Sequence, residues 1–189
     1  HVQQDIPELI RLMGGGEAFS SQLDSLFFLE SEETGNVLDV TGLIGQYAHG
    51  NEPSHHVAYL YNYVGKPHKT QEIIRQVFDR FYLAEPNGLC GNDDCGQMSA
   101  WYVFSAMGFY PVDPVSGEYI IGAPQIEKIE VSLPGNKVFT VEAKGLSETN
   151  KYIQSATLNG KLVENFRITH KDITVGGHLV FTMTNTPQL

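Results

Sequence analysis

Hydrophobic periodicity changes character once along this chain, at Pro111, and that change limits the possible folds more than any other feature. Before it, apolar residues recur every three or four positions, the spacing of a helix that buries one face. Ile6, Leu9, Ile10 and Met13 form the first such run, and Gly14-Gly15-Gly16 ends it. Phe19, Leu23, Leu26 and Phe27 mark a second helix. A polar turn at Glu32-Glu33-Thr34-Gly35-Asn36 follows, then a loop-like stretch through Gly45 and Gly50. Pro53 is placed to open a third helix at its first position, where a missing N–H costs nothing. That helix is expected to pass through Val57, Leu60, Tyr61 and Val64 to a stop at Gly65. Pro67 opens a fourth, with Ile73, Ile74, Val77, Phe78, Phe81 and Tyr82 on one stripe. A fifth is expected over residues 95–107, where Met98, Trp101, Tyr102, Val103, Phe104 and Met107 leave little polar face and predict burial.

After Pro111, short β-branched runs take over at residues 119–121, 126–131, 137–142, 152–158, 172–175 and 179–183. Turn signals separate them: Pro134-Gly135-Asn136, Asn159-Gly160 and Gly176-Gly177. Asn159-Gly160 between apolar runs is a strong two-residue hairpin signal. The chain therefore reads as α+β, with a helical segment over residues 1–112 and a small antiparallel β-sandwich or sheet over residues 113–189. The early helices carry more apolar face than five helices alone can cover. Partner helices outside this chain are expected. The chain opens at His1, without an initiator Met, in what reads as the middle of a folded element, so a longer parent is expected too.

Charge narrows the function. Twelve Lys and Arg stand against 22 Asp and Glu, for a net charge of −10. That balance disfavours a nucleic-acid partner, whose binding depends on Lys and Arg displacing counterions. It equally disfavours an anionic membrane surface. A neutral sugar or a cation such as calcium suits it better. No apolar stretch approaches the length of a bilayer span. Cys90 and Cys95 flank a Gly-rich loop and read either as free thiols or as a disulfide formed in an oxidising compartment. A zinc site is disfavoured, since two thiolates alone under-coordinate the metal.

Polar groups concentrate in two loops that precede helix starts: Gly50-Asn51-Glu52-Pro53-Ser54-His55-His56 and Gly91-Asn92-Asp93-Asp94-Cys95-Gly96-Gln97. Each sets carboxylate and amide oxygens beside glycines that let the backbone turn tightly. From spacing alone, Asp94 with Gln97 reads as a capping box, and Glu52 as a helix-leading acid favoured by the dipole. His55 and His56 are adjacent, so on a helix they diverge by about 100° and make a poor metal pair. Tyr59, Tyr61 and Tyr63 suit core packing better than sugar stacking.

The run Gly91-Asn92-Asp93-Asp94-Cys95-Gly96-Gln97-Met98-Ser99-Ala100-Trp101-Tyr102 resembles the signature of glycoside hydrolase family 92. So do the 50–56 loop followed by Tyr59-Leu60-Tyr61-Asn62-Tyr63 and Thr70-Gln71, the later Gly108-Phe109-Tyr110-Pro111, and the Asn159-Gly160 hairpin. The resemblance covers nearly the whole chain in order. It implies a calcium-dependent, inverting exo-α-mannosidase, α-1,2-linked mannosides being the expected substrate, built from a β-sandwich and an (α/α)6 barrel. This chain would supply part of that barrel. Many such enzymes are exported by bacteria that degrade host glycans, so an extracellular or periplasmic place is expected.

By motif position Asp94 matches the general base. Many members carry a second acid two residues earlier, where this chain has Asn92, an amide that can hold a water but cannot take its proton. Asp93 is then a neighbour at the substrate, along with Glu52. Asn51 and Glu52 match the sugar and calcium region. The matching general acid belongs to a motif absent here and expected before His1; Glu8, Glu17 and Glu30 stand in unrelated contexts. The isolated chain is expected to be nearly inert and to need the N-terminal half of the same enzyme. The competing class is a non-catalytic carbohydrate-binding or accessory module. Exposed aromatics on one sheet face, with no polar cleft at Asp94, would mark it.

Overall fold

The computed structural model describes residues 2–29 and 40–188. The turn expected around Gly35, and Glu30, lie outside them. Two short helices come first, α1 (Ile6–Leu12) and α2 (Gly16–Phe28). The Asp5 side chain caps α1 by accepting the Glu8 backbone N–H at 3.1 Å. Phe19, Leu23 and Phe27 bury the inner stripe of α2. Leu12 and Phe28, however, remain 69% and 57% exposed, so these helices keep apolar surface that none of the described residues covers.

Where the sequence suggests only loop, a short hairpin forms from β1 (Leu43–Ile44) and β2 (Tyr47–Ala48). The helix expected from Pro53 is instead two 3-10 segments, Glu52–Ser54 and Val57–Val64. Ala58, Tyr59, Leu60 and Tyr61 are all buried, so packing from every side, not one apolar stripe, sets the backbone here. Gly65 closes the segment in the left-handed conformation. Next, α3 (Pro67–Phe81) buries Ile73, Ile74, Val77, Phe78 and Phe81. Last of the long helices, α4 (Gln97–Met107) starts two residues later than expected. It buries Met98 and Trp101, but Val103 is 54% exposed, so the helix expected to be buried keeps one open edge.

Strands β3 (Phe109–Tyr110), β4 (Glu118–Ile121) and β9 (Arg167–Thr169) form a three-stranded antiparallel sheet. A five-stranded sheet is built from β5 (Lys128–Leu133), β6 (Lys137–Lys144), β7 (Tyr152–Leu158), β8 (Lys161–Leu162) and β10 (Gly177–Thr184), in the order β5-β6-β10-β7-β8. It is mixed, not antiparallel throughout as expected: β6 and β10 run parallel, with Leu179 opposite Val141. A parallel pair needs a long crossover, and the segment from β7 through β9 provides it. Asn159 and Gly160, at φ 51° and 79°, turn β7 into β8 as their dipeptide predicts. The strand expected at residues 172–175 is instead part of a helix, α5 (His170–Thr174). There the Thr169 and Asp172 side chains cap each other's backbone, and that local satisfaction outweighs β-branched propensity.

Two apolar clusters result. The first gathers Phe19, Phe27, Tyr59, Ile74 and Trp101 from the helices with Tyr110, Val112 and Ile120 from the start of the β-rich region. The second gathers Phe139, Val141, Ile153, Leu179 and Phe181 with Met107 and Phe109. The α+β class stands, and the turn of chain at residues 107–112 belongs to both clusters.

Candidate active site

The two polar loops meet. A cavity of about 410 Å³ is lined by Asn51 and Glu52 from one, Asn92 and Asp94 from the other, with Gly50, Gly91 and Thr41 between them. Backbone bonding extends the β1–β2 hairpin to reach it: the His49 N–H donates to Gly42 O at 2.9 Å and the Gly50 N–H to Thr41 O at 3.0 Å. Glycine is required at the meeting point. A Cβ on Gly50 would lie 1.9 Å from Thr41 Oγ1, and one on Gly91 only 3.1 Å from the Gly50 carbonyl oxygen.

Glu52 opens a 3-10 turn, and its carboxyl is held below the usual range first by its own backbone N–H and then by a hydrogen bond with the Asp94 side chain. Asp94 is brought there by a left-handed run: Asp94, Cys95 and Gly96 have φ of 46°, 58° and 89°. Left-handed backbone costs a non-glycine residue about 1 to 3 kcal/mol, and such strain collects at functional sites.

The capping box read from the Asp94 and Gln97 spacing is not formed. Gly96 holds the N-cap position without a side-chain cap. The neighbouring Asp93 satisfies the helix instead, its Oδ1 accepting the Ser99 N–H at 3.0 Å and the Ser99 hydroxyl at 2.7 Å. The carboxylate favoured by the helix N-terminus is therefore Asp93. Asp93 does not line the acidic cavity; it faces a separate depression beside Leu83 and Pro86. The Gln97 amide, freed from capping, donates to His55 Nδ1 and to Tyr110 Oη, each at 3.2 Å.

Behind the cavity lies a buried aromatic and imidazole network. His49, fully buried, contacts Tyr47 Oη through Nδ1 at 2.8 Å and Tyr82 Oη through Nε2 at 2.9 Å. Burial, assisted by His55, pushes its pKa down to about 3, and burial takes His56 down to about 4. Both stay neutral and structural. His55 and His56 are both buried, and Tyr59 and Tyr61 are wholly buried core. Cys90 and Cys95 are free thiols, Cys90 half-buried with its pKa raised by that burial.

Among the described residues, no three His, Cys, Asp or Glu side chains converge as a metal site. The acidic cavity nevertheless presents only hard oxygen donors and amides from Thr41, Asn51, Glu52, Asn92 and Asp94. That donor chemistry fits calcium, with waters or ligand hydroxyls completing its shell. A larger depression of about 730 Å³ lies where Tyr63 meets Glu118 and Arg167. It carries neither polar loop, and its Arg167 is already committed to Glu118 at 2.9 Å. The fully exposed or half-exposed aromatics among the described residues, Phe28 and Tyr102, lie on helices and not on a sheet face. Thr41 and His49 were not legible as site residues: Thr41 has no motif around it, and nothing local announces that His49 is buried.

The chain matches the glycosyl hydrolase family 92 catalytic domain over residues 1–185. It is 32% identical over 185 residues to an uncharacterized secreted glycosidase of Arthroderma benhamiae, covering 96% of this chain and 22% of that protein. Among solved structures it is similar to a family 92 α-mannosidase of Bacteroides thetaiotaomicron in complex with mannoimidazole, with a TM-score of 0.93 and 46% identity over 99% of this chain and 25% of that one. A family 92 inverting mannosidase of the same organism gives a TM-score of 0.85 and 41% identity, over 98% and 26%. The chain spans about a quarter of the length of these relatives.

Proposed function

The chain belongs to glycoside hydrolase family 92, and on that premise we propose that it is the portion of an exported α-mannosidase that activates the attacking water. The observation that carries this reading is the convergence of the 50–56 and 91–97 loops on one oxygen-lined cavity, with Glu52 touching Asp94.

Asp94 is the general base: its carboxylate takes a proton from water as the oxygen attacks the anomeric carbon of a terminal mannose. An acid on the opposite face protonates the departing oxygen, so the sugar is released with inverted configuration. Base and acid in such enzymes stand about 6.5–9.5 Å apart. Glu52, in hydrogen-bond contact with Asp94, is too close to be that acid. The acid is supplied by the rest of the parent enzyme, whose helices complete an (α/α)6 barrel over the exposed Leu12 and Phe28. Alone, this chain binds but does not turn over. Asn92 and Glu52 bind sugar hydroxyls. Asp93 keeps the helix cap and supports the loop from behind.

Asn51 and Glu52 would hold calcium, which supplies positive charge and coordination for vicinal sugar hydroxyls when bound.

The test is the stereochemistry of the full-length parent acting on an α-1,2-mannobioside, followed by proton NMR. β-Mannose is expected as the first product, with turnover lost on calcium chelation and restored by calcium. α-Mannose appearing first would overturn the direct displacement, and no release of mannose at all would overturn the mannosidase reading.

A further inference from the structure

We propose that His55 is a positioning residue: its imidazole and backbone clamp the 50–56 loop onto the first two turns of α4 and thereby hold Glu52 against Asp94. This rests on the reading of Asp94 as the base. The ring is 1% exposed, too deep to meet substrate. Its Nε2 lies 3.0 Å from the His49 carbonyl oxygen, which can only accept, so Nε2 carries the proton. Nδ1 is then an acceptor, and it takes an N–H from Gln97 at 3.2 Å. The His55 carbonyl accepts the Trp101 indole N–H at 3.1 Å. Its backbone N–H donates to the Glu52 carbonyl oxygen at 3.0 Å.

One residue thus bonds the loop bearing Glu52, the hairpin end bearing His49, and two successive turns of the helix that Asp94 precedes. The arrangement is specific to the tautomer that carries its proton on Nε2. Both contacts of the ring are directional, and their geometry transmits to the carboxyl pair through only three residues of backbone.

The experiment uses the full-length parent, with an aryl α-mannoside as probe. His55→Phe retains the ring's bulk and removes both nitrogen contacts; kcat/KM is expected to fall at least tenfold. His55→Gln can still donate to His49 O and accept from Gln97, and it is expected to recover to within threefold of wild type. Gln97→Leu breaks the same contact from the helix side. It should lower kcat/KM by a similar factor and add nothing to His55→Phe in the double variant. A purely structural role would give losses that follow melting temperature and no recovery in His55→Gln.

Full turnover in His55→Phe, or additive losses in the double variant, would overturn the proposal. If His55→Phe does not fold, Gln97→Leu within twofold of wild type overturns it and a tenfold loss upholds it. Asp94→Asn is measured alongside. Retained turnover there defeats the base assignment itself, whereas its loss together with unchanged His55 and Gln97 variants defeats only the clamp.

Discussion

The two loops that face each other across the acidic cavity are held in opposite ways. The 50–56 loop is fixed from behind: the half-buried Ser54 hydroxyl shares its proton between the Ala48 and Asn51 carbonyls, and the contact of buried His55 with buried Trp101 locks its end. The 91–97 loop is mostly exposed, carries three successive left-handed residues, and is anchored by Asp93 on Ser99 and by Gln97 on His55 and Tyr110. One wall is a rigid reference and the other a strained strap laid against it. The proposed base sits on the strap. Its placement therefore depends on the rigid wall as much as on its own backbone.

The largest effect expected bears on the rigid wall. His49 has a folded pKa of about 3, below the unfolded value of 6.5. Its stabilisation is complete above pH 6.5 and drains away as pH falls toward 3, because the unfolded chain takes the proton first. Each pH unit in that window costs about 1.4 kcal/mol, roughly 5 kcal/mol in all. Urea unfolding midpoints from pH 7 to pH 4 should show the decline, and His49→Phe should make it shallower, leaving the share that His56 contributes. An unchanged slope in that variant would mean the wall is not held by a neutral histidine.

Next is the contact between the walls. Gly50→Ala forces a methyl group against Thr41, and overpacking of this kind costs about 1 to 3 kcal/mol. Denaturant unfolding of the variant checks it, and a loss below about 0.5 kcal/mol would mean the walls yield easily. Smaller again is the strap's anchor. Asp93→Ala should lose about 1 kcal/mol, the usual worth of a helix-capping side chain. Smallest is the strain itself: Asp94→Gly should leave stability unchanged or raise it by up to about 1 kcal/mol, since glycine enters the left-handed region freely. Calorimetry on both variants compares them directly. If Asp94→Gly proved the more damaging, the division into anchor and strained carboxylate would be wrong.

Much of this architecture can be read in the residues. The stripe of Ile73, Val77 and Phe81 and the strand at Tyr152–Leu158 are strong local patterns, and the structure follows them. What escapes is set by distant partners or by single side chains. The parallel pairing of β6 with β10 depends on where the chain returns after a long excursion, which no local pattern encodes. Thr169 and Asp172 turn an apparent strand into a helix through two hydrogen bonds. At the site, the loops are conspicuous by motif, yet which of two adjacent aspartates caps the helix is decided by the left-handed backbone at Asp94 and Cys95. The same is true of His49: composition shows a histidine, and only the fold shows that it is sealed between two tyrosines.

In the proposed mechanism the strained carboxylate of Asp94 accepts the proton of the attacking water. Single-turnover rates of Asp94→Asn in the full-length parent measure it most directly, because the amide preserves shape and hydrogen bonding but is not a base. The rate is expected to drop by about a hundredfold to ten-thousandfold, the scale of general-base contributions, with circular dichroism and melting temperature unchanged. A folded Asp94→Asn enzyme that cleaves mannosides within tenfold of the wild-type rate would contradict the assignment.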